Sequence, residues 1–226
     1  MKLTTKQLTA LVAATALVAT GCTTTLKHGK FNDTACAPKG PMGVAAHADK
    51  MQHRIGWTTF TVFAIPIAPL TVNGEPDREL MNEIKAAVEH SGYQVKLVEN
   101  PGEAAGLPVL TCSVKKFKFR NYTWLFPLVF NWGTVMLDVS VKSSDGADLW
   151  SKSYTAKANG FYSFNSTVNK ALTRVLNDMI ADLASTDFKA ATGAKAPADF
   201  RPLAAHALLP ASREPENIQC QTGFIQ

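Results

Sequence analysis

The stretch that most restricts the fold is Thr134 to Ala158. Val135, Leu137, Val139 and Val141 alternate strictly with Met136, Asp138, Ser140 and Lys142, the turn signal Ser144-Asp145-Gly146 follows, and Asp148 to Ala158 runs back. A period of two with one apolar face marks a half-buried strand, and so short a join allows only an antiparallel pair. The chain must therefore contain this hairpin and cover its apolar face.

Val109 to Arg120 reads as a strand ahead of the hairpin, which makes a three-stranded meander. Upstream, Trp57 to Val72 is a long apolar and β-branched run. Phe60, Val62 and Ala64 alternate with Thr59, Thr61 and Phe63, while Pro66 and Pro69 reduce the second part to an edge, a bulge or an extended loop. Pro76 opens a helix whose Leu80, Ile84, Ala87 and Val88 share a face, and Ser91-Gly92 stops it. Tyr93 to Val98 alternates as a short strand. Asn165 to Ala184 is a second helix, with Val168, Leu172, Val175, Leu176, Met179 and Leu183 in one stripe and Asn169, Lys170, Arg174, Asn177 and Asp182 facing away.

The predicted class is α+β: one mainly antiparallel sheet, strand-helix-strand followed by the meander, with two amphipathic helices on one face. The 226 residues divide into a leader over 1–21, a flexible tether over 22–56, a globular domain over 57–186 and an irregular tail over 187–226. A tether of that length reaches on the order of 30 Å.

Chemistry-bearing patterns are absent where an enzyme would need them. His28, His47, His53, His90 and His206 are scattered and form no H-E-x-x-H pair, and no G-x-S-x-G elbow, phosphate loop or dinucleotide fingerprint occurs. Asp145-Gly146-Ala147-Asp148 lacks the other ligand positions of a calcium loop. No catalytic residue, cofactor or metal is expected. The formal charge of +5, falling to +3 once Lys2 and Lys6 leave with the leader, comes without a basic stripe interleaved with aromatics, so no nucleic-acid partner is expected.

The leader bears on location. Lys2 and Lys6 precede an uncharged apolar run, Leu8 to Val18, and Ala19-Thr20-Gly21 stand directly before Cys22. Basic, apolar and small residues in that order make a secretory signal. The run is shorter than the about 20 residues a membrane span takes. With Ala19 where Leu is usual, the segment resembles the lipobox of bacterial lipoproteins, in which the cysteine takes a lipid such as palmitate on its sulfur and becomes the first mature residue. That resemblance implies lipidation of Cys22 and the lipid bilayer as a partner. Thr23, in place of Asp, implies the outer membrane, and a periplasm-facing orientation is the expectation adopted with it.

Cys112 alternates with apolar neighbours and reads as a core residue. Cys36 and Cys220 lie in irregular segments, where an oxidising envelope allows a disulfide between them. No two cysteines have metal-ligand spacing.

The connection between the first two meander strands, Asn121 to Gly133, concentrates Tyr122, Trp124, Leu125, Phe126, Leu128, Phe130 and Trp132 at what should be a hairpin tip. Tips are normally polar, and a large apolar patch usually marks a contact surface. Three readings stay open: longer strands whose side chains cap the core over Ile65 to Leu70, a docking surface for an envelope protein, or insertion into a lipid leaflet. In the last, Lys115, Lys116, Lys118 and Arg120 would meet anionic head groups. A fourth role, lipid handling, would place an apolar groove between the sheet and Ile65 to Leu70.

Beyond the lipobox, Phe60 to Ala184 resembles the YajG-like lipoproteins and the auxiliary lipoproteins of ABC-type transport systems. The shared features are a strand and amphipathic helix, Gly92-Tyr93-Gln94-Val95 entering a second strand, a meander and a C-terminal amphipathic helix. This implies a non-enzymatic, membrane-tethered module that works by binding, as an accessory subunit of an envelope assembly with a protein partner.

Overall fold

The computed structural model describes residues 22–33, 39–60, 65–123 and 129–192. Eight strands form one sheet: β1 (Cys22–Thr24), β2 (Pro41–Ala45), β3 (Arg54–Phe60), β4 (Ile65–Val72), β5 (Gln94–Val98), β6 (Val109–Thr123), β7 (Val129–Lys142) and β8 (Asp148–Phe161). Three helices accompany it: α1 (Pro76–His90), α2 (Phe164–Leu183) and α3 (Thr186–Thr192).

β6 is the spine. One edge carries β7 antiparallel along its whole length, and β8 follows on β7. The other edge is shared, with β2 pairing parallel at Val109 and Leu110 and β3 pairing parallel at Phe119 to Thr123. β5 lies parallel on β2, β4 antiparallel on β3, and β1 parallel on β4. Among the described residues four of these seven pairings are parallel, so the sheet is mixed and the mainly antiparallel expectation is corrected. The meander is antiparallel because five residues between successive strands, 124–128 and 143–147, are too few for a crossover. Two parallel pairings arise because β2 and β3 return separately to the same edge of β6, and the other two, β5 on β2 and β1 on β4, join strands with other elements between them in the chain.

Three boundaries also differ from expectation. Residues 22–56, read as a tether, hold β1, β2 and the start of β3. The run 65–72 is a strand whose Ala68, Leu70 and Val72 are buried, so it forms no wall of a separate groove. Among the described residues β1 covers β4 only at Leu70 to Val72, so Pro66 and Pro69 have no strand partner on that side, where proline is tolerated. Beyond Leu183 the chain makes the further helix α3, which buries Phe188.

α1 starts with Pro76 in its first turn and buries Leu80, Met81, Ile84, Ala87 and Val88. α2 is capped by Ser163, whose hydroxyl accepts from the Ser166 N–H, and buries the stripe Val168, Leu172, Val175, Leu176, Met179 and Leu183. Both stripes enter the same core as Leu110, Cys112, Val114, Phe117 and Phe119 of β6 and the odd-numbered residues Val135 to Val141 of β7.

The polar side of α2 has a task that its solvated look in the sequence conceals. Asn165, Asn169, Thr173 and Asn177, one per turn, bind Thr24 Oγ1 (2.5 Å), Lys27 N (3.2 Å), Gly29 N (2.7 Å) and Asn32 N (3.0 Å) in order. Residues 24–32 are thus laced along the helix by side chains spaced i, i+4.

Candidate functional site

Along the turn-proximal half of the meander the sheet is conventional. Apolar side chains face the helices, and the outer face is a shallow polar groove of ≈ 420 Å³ lined by Thr111, Ser113, Asp138, Ser140, Ser151 and Ser153. Asp138 accepts from Ser153 Oγ at 2.6 Å and pairs with Lys115 at 3.2 Å. These partners, the serine first, hold its carboxyl below the ordinary aspartate range.

At the other end the pattern inverts beyond the row of Phe119. A β-bulge between Val114 and Lys116 switches β6 from even to odd residues on the core side, so Phe117, Phe119 and Asn121 point inward and Lys118, Arg120 and Tyr122 outward. β7 keeps its parity, which places Asn131 inside and Phe130 and Trp132 outside. Register then lines up two outer rows across four strands: Trp57, Arg120, Trp132 and Asn159, and beyond them Thr59, Tyr122, Phe130 and Phe161.

Between them, on the core side, runs the row Thr58, Asn121, Asn131 and Gly160. Thr58 Oγ1, Asn121 Oδ1 and both amide atoms of Asn131 are buried, and among the described residues they have no hydrogen-bond partner. A buried polar group left unpartnered costs about 1–3 kcal/mol. Polar residues lie within and aromatic ones without, the reverse of what water outside would favour.

The aromatic face is coherent. Tyr122 and Trp132 have ring centroids 6.5 Å apart, and Phe130 and Phe161 5.3 Å. The Arg120 guanidinium lies 5.9 Å from the Trp132 ring and donates to Tyr122 Oη at 3.3 Å, while that of Arg54 lies 5.2 Å from Trp57. Trp57, Trp132, Phe161 and Tyr162 are respectively 41, 46, 65 and 66% exposed. Tyr162 adopts the left-handed conformation (φ 67°), with its N–H on Val129 O and the Ser163 N–H on Phe161 O. An L-residue held there is strained by about 1–2 kcal/mol, and Tyr is an unusual choice for it.

Charge on this end is of one sign. Arg54, Lys118, Arg120 and Lys157 face outward, and no Asp or Glu occurs in β3, β4, β6 or the tip-proximal halves of β7 and β8. Among the described residues none of these four makes a salt bridge.

Of the sequence-predicted contact residues, the structure brings Tyr122, Phe130 and Trp132 together. Trp124, Leu125, Phe126 and Leu128 lie outside the described residues, as do Cys36 and Cys220 of the expected disulfide. Trp57, Phe161 and Tyr162 join the patch without having been anticipated. The signal for Phe161 was present, because continuing the alternation of β8 past Asn159-Gly160 puts it outside.

Cys22 is exposed, with a free thiol. It heads β1 opposite Leu70, and the row continues through Gly56 and Phe119 to Gly133. That row adjoins the Trp57, Arg120 and Trp132 row, so Cys22 is at the aromatic end of the sheet. Cys112 is buried, and burial, reinforced by the charges of Asp138 and Asp49, pushes its thiol up to about 12. Among the described residues no group of three His, Cys, Asp or Glu is placed to hold a metal, and no helix is long and apolar enough to cross a membrane.

No protein-family model matches the chain, and no curated protein does. Among solved structures it is similar to a Xanthomonas campestris protein of family DUF330, at 14% identity over 76% of this chain and 97% of that one, with a TM-score of 0.49. It is also similar to the PelC dodecamer of Paraburkholderia phytofirmans (15%, covering 66% and 97%, TM-score 0.37) and to a lipoprotein from Neisseria meningitidis (12%, covering 62% and 99%, TM-score 0.33). Likeness at this level carries no statement about activity or partner.

Proposed function

We propose that the protein is a lipid-anchored envelope lipoprotein, held through Cys22 and acting without catalysis as a binding or accessory module of an envelope assembly. The reading places it at the outer membrane, facing the periplasm, with the aromatic end of the sheet as its contact surface. The observation that carries it is the pairing of a lipobox-like run, Ala19-Thr20-Gly21-Cys22, with an exposed, unpaired Cys22 thiol at the sheet end where the aromatic face lies. Labelling producing cells with a radiolabelled fatty acid tests the anchor. Wild-type protein should take up label and Cys22→Ser should not. Equal label in both would remove the basis of the reading.

A further inference from the structure

We infer that the aromatic end of the sheet seats directly in the anionic headgroup layer of the leaflet that holds Cys22, making the bilayer surface the occupant of this face. The inference rests on the anchoring reading and extends it from an attachment point to an orientation, in which the aromatic contact surface meets lipid and a partner of the assembly binds elsewhere. Three observations converge on it.

The first is the position of the anchor. A lipidated cysteine on a long tether would leave the domain free to tumble. Here Cys22 is the first residue of an edge strand, and the chain after it is laced along α2 through Asn165, Asn169, Thr173 and Asn177. Acyl chains on Cys22 must enter the hydrocarbon, so the membrane surface lies near the level of the Cys22 row. The row of Tyr122, Phe130 and Phe161 lies three residues further along the strands, about 10 Å at 3.3–3.4 Å per residue. Side chains there reach the headgroup and acyl boundary, which interfacial elements enter by about 5–10 Å.

The second is the inversion of the pattern. Asn121 and Asn131 inside, with Tyr122, Phe130, Trp132 and Phe161 outside, suits a strand end whose surroundings are less polar than its interior. Trp and Tyr favour the membrane interface, where one part of the ring is apolar and the other hydrogen-bonded. Tyr162 is held outward in a strained backbone conformation at the same end. Strain of this kind concentrates at functional sites.

The third is charge complementarity. Arg54, Lys118, Arg120 and Lys157 face outward with no carboxylate near them on these strands. Each cation close to an anionic leaflet adds to the attraction. A neutral apolar protein partner would leave these charges uncompensated.

The test uses full-length protein purified from membranes and placed in vesicles of phosphatidylethanolamine and phosphatidylglycerol carrying bromine on the acyl chains close to the headgroup. The chain has four tryptophans, so Trp124→Phe with Trp150→Phe leaves Trp57 and Trp132 as the emitters. Their emission should fall by half or more relative to unbrominated vesicles, and by less when phosphatidylcholine replaces the anionic lipid. Unchanged emission, the result if a protein partner or a second copy covers the face, overturns the inference. Equal quenching in both lipid mixtures overturns the charge assignment. Should the double variant not fold, Trp132→Phe in the parent protein must lose part of the quenching, and no loss counts against the seat. Acyl labelling of the same samples separates the two readings. Label on Cys22 without quenching sinks the orientation alone, whereas quenching without label supports the seat and removes the anchor.

Discussion

The ring of Phe119 on β6 lies across Gly133, its cross-strand partner on β7, so closely that a Cβ at Gly133 would stand 2.0 Å from Phe119 Cδ1. On the other side of the same strand, a Cβ at Gly56 of β3 would stand 1.8 Å from the Phe119 carbonyl oxygen. Two glycines thus flank one aromatic residue at the row that also contains Cys22, where the conventional half of the sheet passes into the inverted half. Gly133→Ala is expected to cost about 1–3 kcal/mol by overpacking. Combining it with Phe119→Leu should cost less than the sum of the two single changes, because the smaller side chain vacates the space. Urea unfolding of the four proteins gives the coupling, and strict additivity would show that the ring and the glycine do not compete.

Asn131 is fully buried, and among the described residues both its amide atoms lack partners. Asn131→Leu keeps the branching of the side chain and removes the unpartnered groups, so it should stabilise the isolated protein by up to about 1–3 kcal/mol, less what its bulkier methyl groups cost in packing. A raised urea midpoint with an unchanged slope is the expected outcome. A fall in stability would mean that the amide is satisfied by something in solution, such as ordered water.

These two predictions concern features that differ in how readable they were. The hairpin and both long helices follow from periodicity, because each buries one face and Val135 to Val141 or Val168 to Leu183 must repeat accordingly. β2 resists such reading: Met42, Gly43 and Val44 are buried in succession between β5 and β6, and a strand covered on both faces shows no alternation. β1 has three residues, too few for any period, and its partners are distant in the chain: it pairs with β4, and its Thr24 is bound by Asn165 of α2, 141 positions away. At the candidate site the aromatic residues were visible, but their direction was not. On β6 it turns on the bulge after Val114, which a sequence of consecutive lysines conceals. On β7 it follows from extending the odd-numbered inward face back to Asn131.

His47 bridges two carboxylates, with Nδ1 2.8 Å from Asp77 and Nε2 3.1 Å from Glu99. The hydrogen bond to Asp77 is the main reason that its pKa is raised above 6.5. Partial burial alone would push Asp77 up, but the His47 hydrogen bond and nearby backbone donors hold it below the usual value. A raised histidine contributes stability that is complete below its unfolded pKa and disappears as pH rises through the folded one. A lowered carboxylate contributes above its unfolded pKa and loses this as pH falls. The advantage of the parent over His47→Gln should therefore be greatest near about pH 5–6, between the two ordinary ranges, and shrink on either side. Thermal unfolding of both proteins from pH 3 to 9 checks it, and a pH-independent difference would count against the bridge.

Cys112, with its thiol pushed up to about 12, is a thiolate to only roughly one part in ten thousand at pH 8. Iodoacetamide at that pH should leave it unmodified in folded protein and alkylate it after denaturation, as read by mass spectrometry of the peptide that contains it. Modification at equal rates in both states would contradict its burial between β6 and the helices.

Tyr162 separates folding from attachment. Its left-handed conformation costs a side chain about 1–2 kcal/mol, which glycine avoids, although glycine also adds freedom to the unfolded chain. Tyr162→Gly should accordingly raise the stability of the protein in detergent by about 0.5–1 kcal/mol. The same change removes an aromatic ring that is 66% exposed at the end of the sheet inferred to meet the bilayer. Lipidated Tyr162→Gly should stay in the membrane fraction through Cys22, yet show weaker quenching of Trp132 by brominated lipid. Tyr162→Phe keeps both the strain and the ring, so it should resemble the parent in each measurement. If glycine stabilises the protein and quenching is unchanged, the strain at this position serves something other than the membrane. If glycine destabilises it, the Tyr162 ring supports the fold, and its exposure is not a sign of docking.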